Sequence, residues 1–255
     1  MRFGFGSNWE NFVKGVDLNR VTLARQSMIE MLGAPGLEGL RFLDAGCGSG
    51  IFSLSARQMG ADVVSFDFDP HSVKCTESVR KKYLPNDEKW RILQGSILER
   101  DFVSSLGQFD IVYSWGVLHH TGRMWDALDN AAQAVKPGGK LYVSIYNDQG
   151  FISSYWQRVK RAYNRLPLLK PLIVAFHAPY LYFARTLYRI ATGSRIERGM
   201  SVWHDMLDWL GGYPFEVARP DQIFGFYRRR GFELLEMKTR GGKHGCNEFL
   251  FRKKP

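Results

Sequence analysis

Cysteine is scarce: Cys47, Cys75 and Cys246 are the only three in 255 residues, and their spacings are unrelated. Neither a disulfide framework nor a zinc pattern follows, so a reducing, cytoplasmic setting is expected and no metal site is expected. The opening residues, Met1-Arg2-Phe3-Gly4-Phe5-Gly6, lack the apolar run of a signal-peptide core. The most apolar stretch, 171–191, is interrupted by His177, Pro179, Arg185 and Arg189. A bilayer-spanning helix takes ~20 predominantly apolar residues, so this stretch is not expected to be one. Acidic residues are nearly missing from 151–200, where nine Lys and Arg stand against Glu197 alone. That segment holds +8 of the chain's net +10, so the charge is a local patch rather than a general property. No RNA-binding module accompanies the patch, which argues against nucleic acid as the partner. No internal repeat or low-complexity segment stands out.

What is present reads as one large domain with an insertion. Hydrophobic residues make up 45% of the chain, enough for a proper core. A helical cap is expected over 1–39, with Asp17 as N-cap and Val21, Ala24, Met28 and Leu32 on one stripe. Its leading aromatics, Trp9 and Phe12 among them, either cover a ligand or pack on a sheet edge. From residue 40 the pattern alternates strand and helix. Strands are expected at 41–45, 62–67, 90–94, 109–114 and 140–146, with helices at 51–59, 70–83 and 124–135. Such alternation implies a parallel sheet with helices on both faces, within a core spanning 40–150. Residues 151–215 break the rhythm as a basic, aromatic, helical insertion or lid. Residues 216–255 return to it with one helix and a strand pair that closes the sheet.

In folds of this kind ligands bind at the carboxyl ends of the strands. There the first strand runs into Asp44-Ala45-Gly46-Cys47-Gly48-Ser49-Gly50. A dinucleotide fingerprint would need glycine at 51, which is Ile, and the Gly-Lys-Ser/Thr ending of a P-loop is missing. Strand two ends in Asp67, about twenty residues on, where a carboxylate can accept both hydroxyls of a ribose. Further along stand Gln94-Gly95-Ser96-Ile97, the run Ser114-Trp115-Gly116-Val117-Leu118-His119-His120, and the turn Lys136-Pro137-Gly138-Gly139.

The D-x-G-x-G-x-G loop together with these four features resembles the class I S-adenosylmethionine (SAM) methyltransferases, over 40–147. The closest likeness is to the small-molecule enzymes of the ubiquinone and menaquinone biosynthesis type, in which a Leu-His-His run is typical. The resemblance implies a Rossmann-like sheet of seven strands, mostly parallel with the last antiparallel, and SAM as cofactor. It implies that Asp44, Gly46, Cys47, Gly48 and Gly50 wrap the methionine part and that Asp67 holds the ribose. Phe68 would lie against adenine, with Ser96 and Ile97 at the adenine edge and Ser114 and Trp115 opening the loop that faces the methyl. Ser96 departs from the family, which usually has an acidic residue there.

The reaction implied is methyl transfer to a small-molecule or lipid-linked acceptor, expected at oxygen. A hydroxyl acceptor needs its proton removed, for which His120 is the first candidate base and His119 the second. His204, Asp205, Tyr213, Glu216 and Asn247 are candidates for the acceptor pocket. The basic insertion is either a lid in water or a surface that meets anionic membrane peripherally through 151–200. Two alternatives stand beside this reading: a tRNA or protein methyltransferase, and a catalytically silent SAM-binding protein.

Overall fold

The computed structural model describes residues 18–192, 206, 209–242 and 245–255. Trp9, Phe12, Asp17, Trp203, His204, Asp205, Asp208 and His244 lie outside the described residues. The first element, α1 (Leu18–Leu32), contains no glycine or proline and buries Val21, Ala24, Met28 and Leu32 on one stripe. It stops at Gly33, whose φ of +62° suits a residue without Cβ and whose N–H closes on the Ile29 carbonyl at 2.9 Å.

The strand–helix alternation then runs β1 (Arg41–Ala45), α2 (Ile51–Gln58), β2 (Asp62–Asp67), α3 (Pro70–Tyr83), β3 (Trp90–Gln94), α4 (Arg100–Ser105) and β4 (Phe109–Trp115). After the 3₁₀ turn Leu118–His120 come α5 (Met124–Gln133) and β5 (Val135–Tyr146). The chain ends with α8 (Pro220–Arg228), β6 (Phe232–Lys238) and β7 (Cys246–Lys253). Together the strands form one sheet in the order β3-β2-β1-β4-β5-β7-β6. Strands β1 to β5 pair parallel, and β7 runs antiparallel between β5 and β6. Successive residues of β1 face opposite sides: Phe42 joins the core with α1 and α2, whereas Leu43 joins the core with α5 and α8. Strands buried on both faces account for the continuous apolar runs in the sequence.

Two elements differ from expectation. The six-residue α4 has too few residues to show a period. Strand β5 begins five residues early, because the Lys136-Pro137-Gly138-Gly139 turn is an irregularity inside the strand, where pairing with β4 shifts register. The Lys136 ammonium pairs with the Asp110 carboxylate across it.

The insertion follows β5 as α6 (Phe151–Arg165), a 3₁₀ turn over Pro167–Leu169 and α7 (Lys170–Thr192). A helical segment punctuated by Pro167, Pro171 and Pro179 was expected; the chain bends by 112° at the first of these, between α6 and the stretch that follows. Pro167 excludes the helical region for the residue before it, and Leu166 accordingly sits at φ −120°, ψ 78°. Among the described residues no single helix is long and apolar enough to cross a membrane.

Candidate active site

The carboxyl ends of β1, β2 and β4 meet at the glycine loop. Gly46 and Cys47 both donate to the Phe66 carbonyl at the end of β2, at 2.8 and 3.1 Å. One oxygen of Asp67 accepts from Gly48 N–H at 3.0 Å and the other from Asp69 N–H at 2.9 Å. The ribose candidate is therefore oriented by the loop itself. Gly46 has φ +87°, and a Cβ there would come within 2.4 Å of Val117. Gly50 has φ +77°, and a Cβ there would come within 2.8 Å of Thr76. The glycines thus let two neighbours close on the loop: Val117, which precedes the histidine turn, and Thr76 of α3, whose hydroxyl donates to the Gly48 carbonyl at 3.2 Å.

Asp44 is buried below this loop. Burial lifts its carboxyl to about pH 7, the Asp67 charge adds to the rise, and hydrogen bonds from Ser53 oppose it. Among the described residues no lysine or arginine contributes to the shift. Three buried donors are lined up behind Asp44: Trp90 Nε1 gives to Ser65 Oγ at 2.8 Å, Ser65 to Ser53 Oγ at 2.7 Å, and Ser53 to Asp44 Oδ2 at 2.5 Å. Sequence reasoning missed Ser53, Ser65 and Trp90, since a serine on a buried helix face and another inside a strand give no motif. The only available signal was polarity at positions where the strand and helix patterns call for apolar side chains. Cys47 is buried beside Asp44, and burial together with the two carboxylate charges pushes its thiol well up, so it stays neutral.

The 3₁₀ turn Leu118–His120 stands over the loop, and its two histidines differ. His120 is half-buried, and its Nδ1 lies 2.6 Å from the Pro214 carbonyl oxygen. A carbonyl only accepts, so Nδ1 carries the proton and the Nε2 lone pair is the basic one. His119 is fully buried, with its ring 4.1 Å from that of Tyr146 and 4.5 Å from that of His120. Among the described residues neither ring nitrogen makes a geometrically complete hydrogen bond, and the Ser144 main chain acts on the ring to raise its pKa. Burial, the His120 ring and the Lys160 charge together hold its pKa well below the ordinary histidine range, so the ring is neutral.

The other expected site residues fall in distinct surroundings. Phe68 follows Asp67 and is 55% exposed. The Ser96 hydroxyl is buried and accepts from Leu98 N–H at 3.2 Å, while the carbonyl of buried Ile97 accepts from Asn130 at 2.8 Å. The Ser114 hydroxyl is buried and donates to the Ala45 carbonyl at 2.8 Å, tying β4 to the loop, and Trp115 beside it is half-buried. Tyr213 is half-buried and precedes the cis peptide to Pro214. The Glu216 carboxylate accepts from Met124 N–H at 3.1 Å, at the start of α5. Asn247 is buried, donating to Asn147 Oδ1 at 3.0 Å and accepting from Arg240 N–H at 2.9 Å. Among the described residues no cluster of histidine, cysteine and acidic side chains could hold a metal ion.

A seven-stranded sheet with only β7 reversed, a D-x-G-x-G-x-G loop after β1 and an acidic residue closing β2 define a class I SAM-dependent methyltransferase. A family model described as a methyltransferase domain matches residues 19–194, and the chain belongs to that family. A ubiquinone biosynthesis O-methyltransferase of Rhizobium rhizogenes is 32% identical over 112 residues, which are 44% of this chain and 43% of that protein. This chain therefore spans less than half of that relative. Its counterpart in Aliivibrio fischeri is 29% identical over 171 residues, 67% of this chain and 70% of that protein. A magnesium protoporphyrin IX methyltransferase from Synechocystis PCC 6803 with bound SAH shares the fold, with a TM-score of 0.57 and 15% identity over 98% of this chain and 94% of that one.

The residues present fit SAM, the family's cofactor. Two carboxylates face one loop, and among the described residues no basic side chain contributes to the shift of the buried one. That suits a ligand carrying a sulfonium and an ammonium. Without ligand, the raised Asp44 pKa favours the folded state below about pH 4, and this contribution is lost as pH rises through about 7. A bound cation reverses the preference and draws Asp44 to its carboxylate. Binding of SAM at pH 7 is thus expected to release roughly half a proton. Calorimetry in two buffers of different ionisation enthalpy reads this release. Asp44→Asn should abolish it; an unchanged release in the variant would remove Asp44 from the site.

Proposed function

We propose that this protein transfers the SAM methyl group to a phenolic oxygen of a small aromatic acceptor that carries an apolar tail and is presented at an anionic membrane surface. The observation that carries this reading is His120, held as its Nδ1–H tautomer by Pro214 on the turn whose Val117 closes on Gly46. SAM, when bound, supplies a methyl already activated on a sulfonium, so the protein's tasks are to align the acceptor, exclude water and handle one proton. The glycine loop, Asp67, Phe68, Ser96, Ile97, Ser114 and Trp115 hold the cofactor, and Asp44 stabilises its positive charge from below. His120 Nε2 takes the proton of the acceptor hydroxyl. Tyr213 directly precedes Pro214, the hydrogen-bond partner of this base. The names of the relatives, ubiquinone biosynthesis O-methyltransferases, support oxygen as the methylated atom and a quinone-type phenol as the acceptor class.

The membrane part of the reading is supported by the insertion. From 151 to 192 there is no acidic residue. Phe151, Leu168, Leu172 and Phe176 are 80%, 92%, 67% and 77% exposed. Arg158, Arg161, Arg165 and Lys170 are exposed among them. Apolar side chains with interspersed basic ones on a bent helix pair suit the headgroup region of an anionic bilayer. A polyprenylated catechol in vesicles, supplied with methyl-labelled SAM, tests the proposal. Label should enter the lipid fraction, and the protein should sediment with anionic but not neutral vesicles, less so as salt rises. Transfer to a water-soluble catechol with no sedimentation would leave the methyltransferase and remove the membrane. Transfer to neither, or to RNA instead, would overturn the acceptor.

A further inference from the structure

The segment 209–218 is held on two sides. On one side it grips the histidine turn: Pro214 accepts from His120, Glu216 N–H donates to the His119 carbonyl at 3.0 Å, and Pro214 packs 3.2 Å from where a Gly122 Cβ would stand. Farther along, Ala218 N–H donates to the Tyr146 carbonyl at 3.0 Å, anchoring the segment to the end of β5. On the other side it is gripped by α6. Gln157, Lys160 and Asn164 are spaced i, i+3 and i+7, which places them along one helix face. Gln157 donates to the Phe215 carbonyl at 3.3 Å, Asn164 to the Gly211 carbonyl at 2.8 Å, and the Lys160 ammonium to the Trp209 carbonyl. Lys160 is fully buried, with its ammonium 4.0 Å over the Trp209 ring and 4.9 Å from the Phe215 ring centre.

We infer that Gln157, Lys160 and Asn164 are positioning residues for the reaction. By fixing the carbonyls of 209–215 they set the place of the Pro214 oxygen, and that oxygen sets which nitrogen of His120 is basic. The physical requirement is narrow. Histidine in water favours the Nε2–H form, in which Nε2 cannot accept a proton. The bond to Pro214 reverses that preference, because a ring's tautomer follows the hydrogen bond its other nitrogen makes. Donors on a single helix face hold the strap more tightly than exposed loop contacts would, since each satisfies a carbonyl at a partly or fully buried position. The helix that contributes these donors also carries the exposed Phe151, Arg158 and Arg161, so the proposed membrane face and the base are joined through one rigid element.

The inference rests on His120 as the base in the proposed function, but its test reads the imidazole itself rather than turnover. Nitrogen-15 correlation spectra at a pH where the ring is neutral give the tautomer, with His120→Gln assigning the signal among the six histidines. The full chain with S-adenosylhomocysteine should show His120 protonated at Nδ1. The Gln157→Ala/Asn164→Ala double variant and, separately, Lys160→Met should move the signal toward the Nε2–H form while binding S-adenosylhomocysteine within about threefold of the parent. A parent already in the Nε2–H form, or variants that keep the Nδ1–H signal, would overturn the inference. Should the double variant lose cofactor binding altogether, Asn164→Ala alone decides by the same criterion. Should the acceptor reading fail while these spectra behave as expected, the positioning role stands and only its substrate changes.

Discussion

His120→Ala is expected to lower turnover about 10²- to 10⁴-fold, the range a positioned general base contributes, while the dissociation constant for S-adenosylhomocysteine stays within about twofold. The size follows from the acceptor. A phenol with a pKa near that of tyrosine, about 10, is ionised to roughly one part in a thousand at pH 7. A base next to the hydroxyl removes most of that deficit, and alanine restores it. The same loss predicts recovery at high pH, where the acceptor ionises without help. The variant should therefore gain activity steadily toward pH 10, whereas the parent should be flat above neutrality. His119 gives the control. It is buried with a neutral ring and makes no geometrically complete hydrogen bond among the described residues. His119→Phe keeps a planar ring against Tyr146 and should leave the pH profile in place. A His120→Ala enzyme with parental turnover at pH 7 would remove the base from the mechanism.

Asp67→Ala is expected to weaken cofactor binding about 100-fold. Charge-assisted hydrogen bonds contribute about 1.5–3 kcal/mol each, and 2.7 kcal/mol corresponds to about a hundredfold. The loss has a second source in this protein. Both Asp67 oxygens accept from backbone N–H groups of Gly48 and Asp69, so alanine also frees the loop that wraps the ligand. Asp67→Asn keeps the shape and one acceptor oxygen but turns an NH2 donor toward the other backbone N–H, and should cost about tenfold. Titration calorimetry with S-adenosylhomocysteine separates the two variants. A dissociation constant within threefold of the parent for Asp67→Ala would place the ribose elsewhere.

The core of the fold was legible because its signals are local. Three glycines at alternate positions, an acidic residue ending β2 and apolar strands of five to seven residues each carry their meaning within a few positions. The boundaries of β1, β2, β3 and β6 follow from the sequence because Gly, Pro and Asp mark the ends of those apolar runs. What was not legible depends on distance along the chain. The donors behind Asp44 come from α2, β2 and β3, and no spacing links Ser53, Ser65 and Trp90 before the sheet brings them together. The partner of His120 lies 94 residues away, in a segment whose sequence suggested side chains for an acceptor pocket and whose contribution to that imidazole is a main-chain oxygen. A backbone carbonyl has no residue type, so pattern reading has nothing to find. Glu216 illustrates the same limit, since its carboxylate meets the N–H of Met124 at the first turn of α5.

The contact between Val117 and Gly46 has a consequence for descent rather than for chemistry. The methyl groups of Val117 fill the space that a side chain at 46 would need. The two positions therefore form one unit of inheritance: a lineage that places any larger residue at 46 must at the same time shorten 117, and with it reshape the turn that presents the histidines. A single step at 46 is closed while Val117 stands, which ties the history of the glycine loop to that of the turn carrying the histidines.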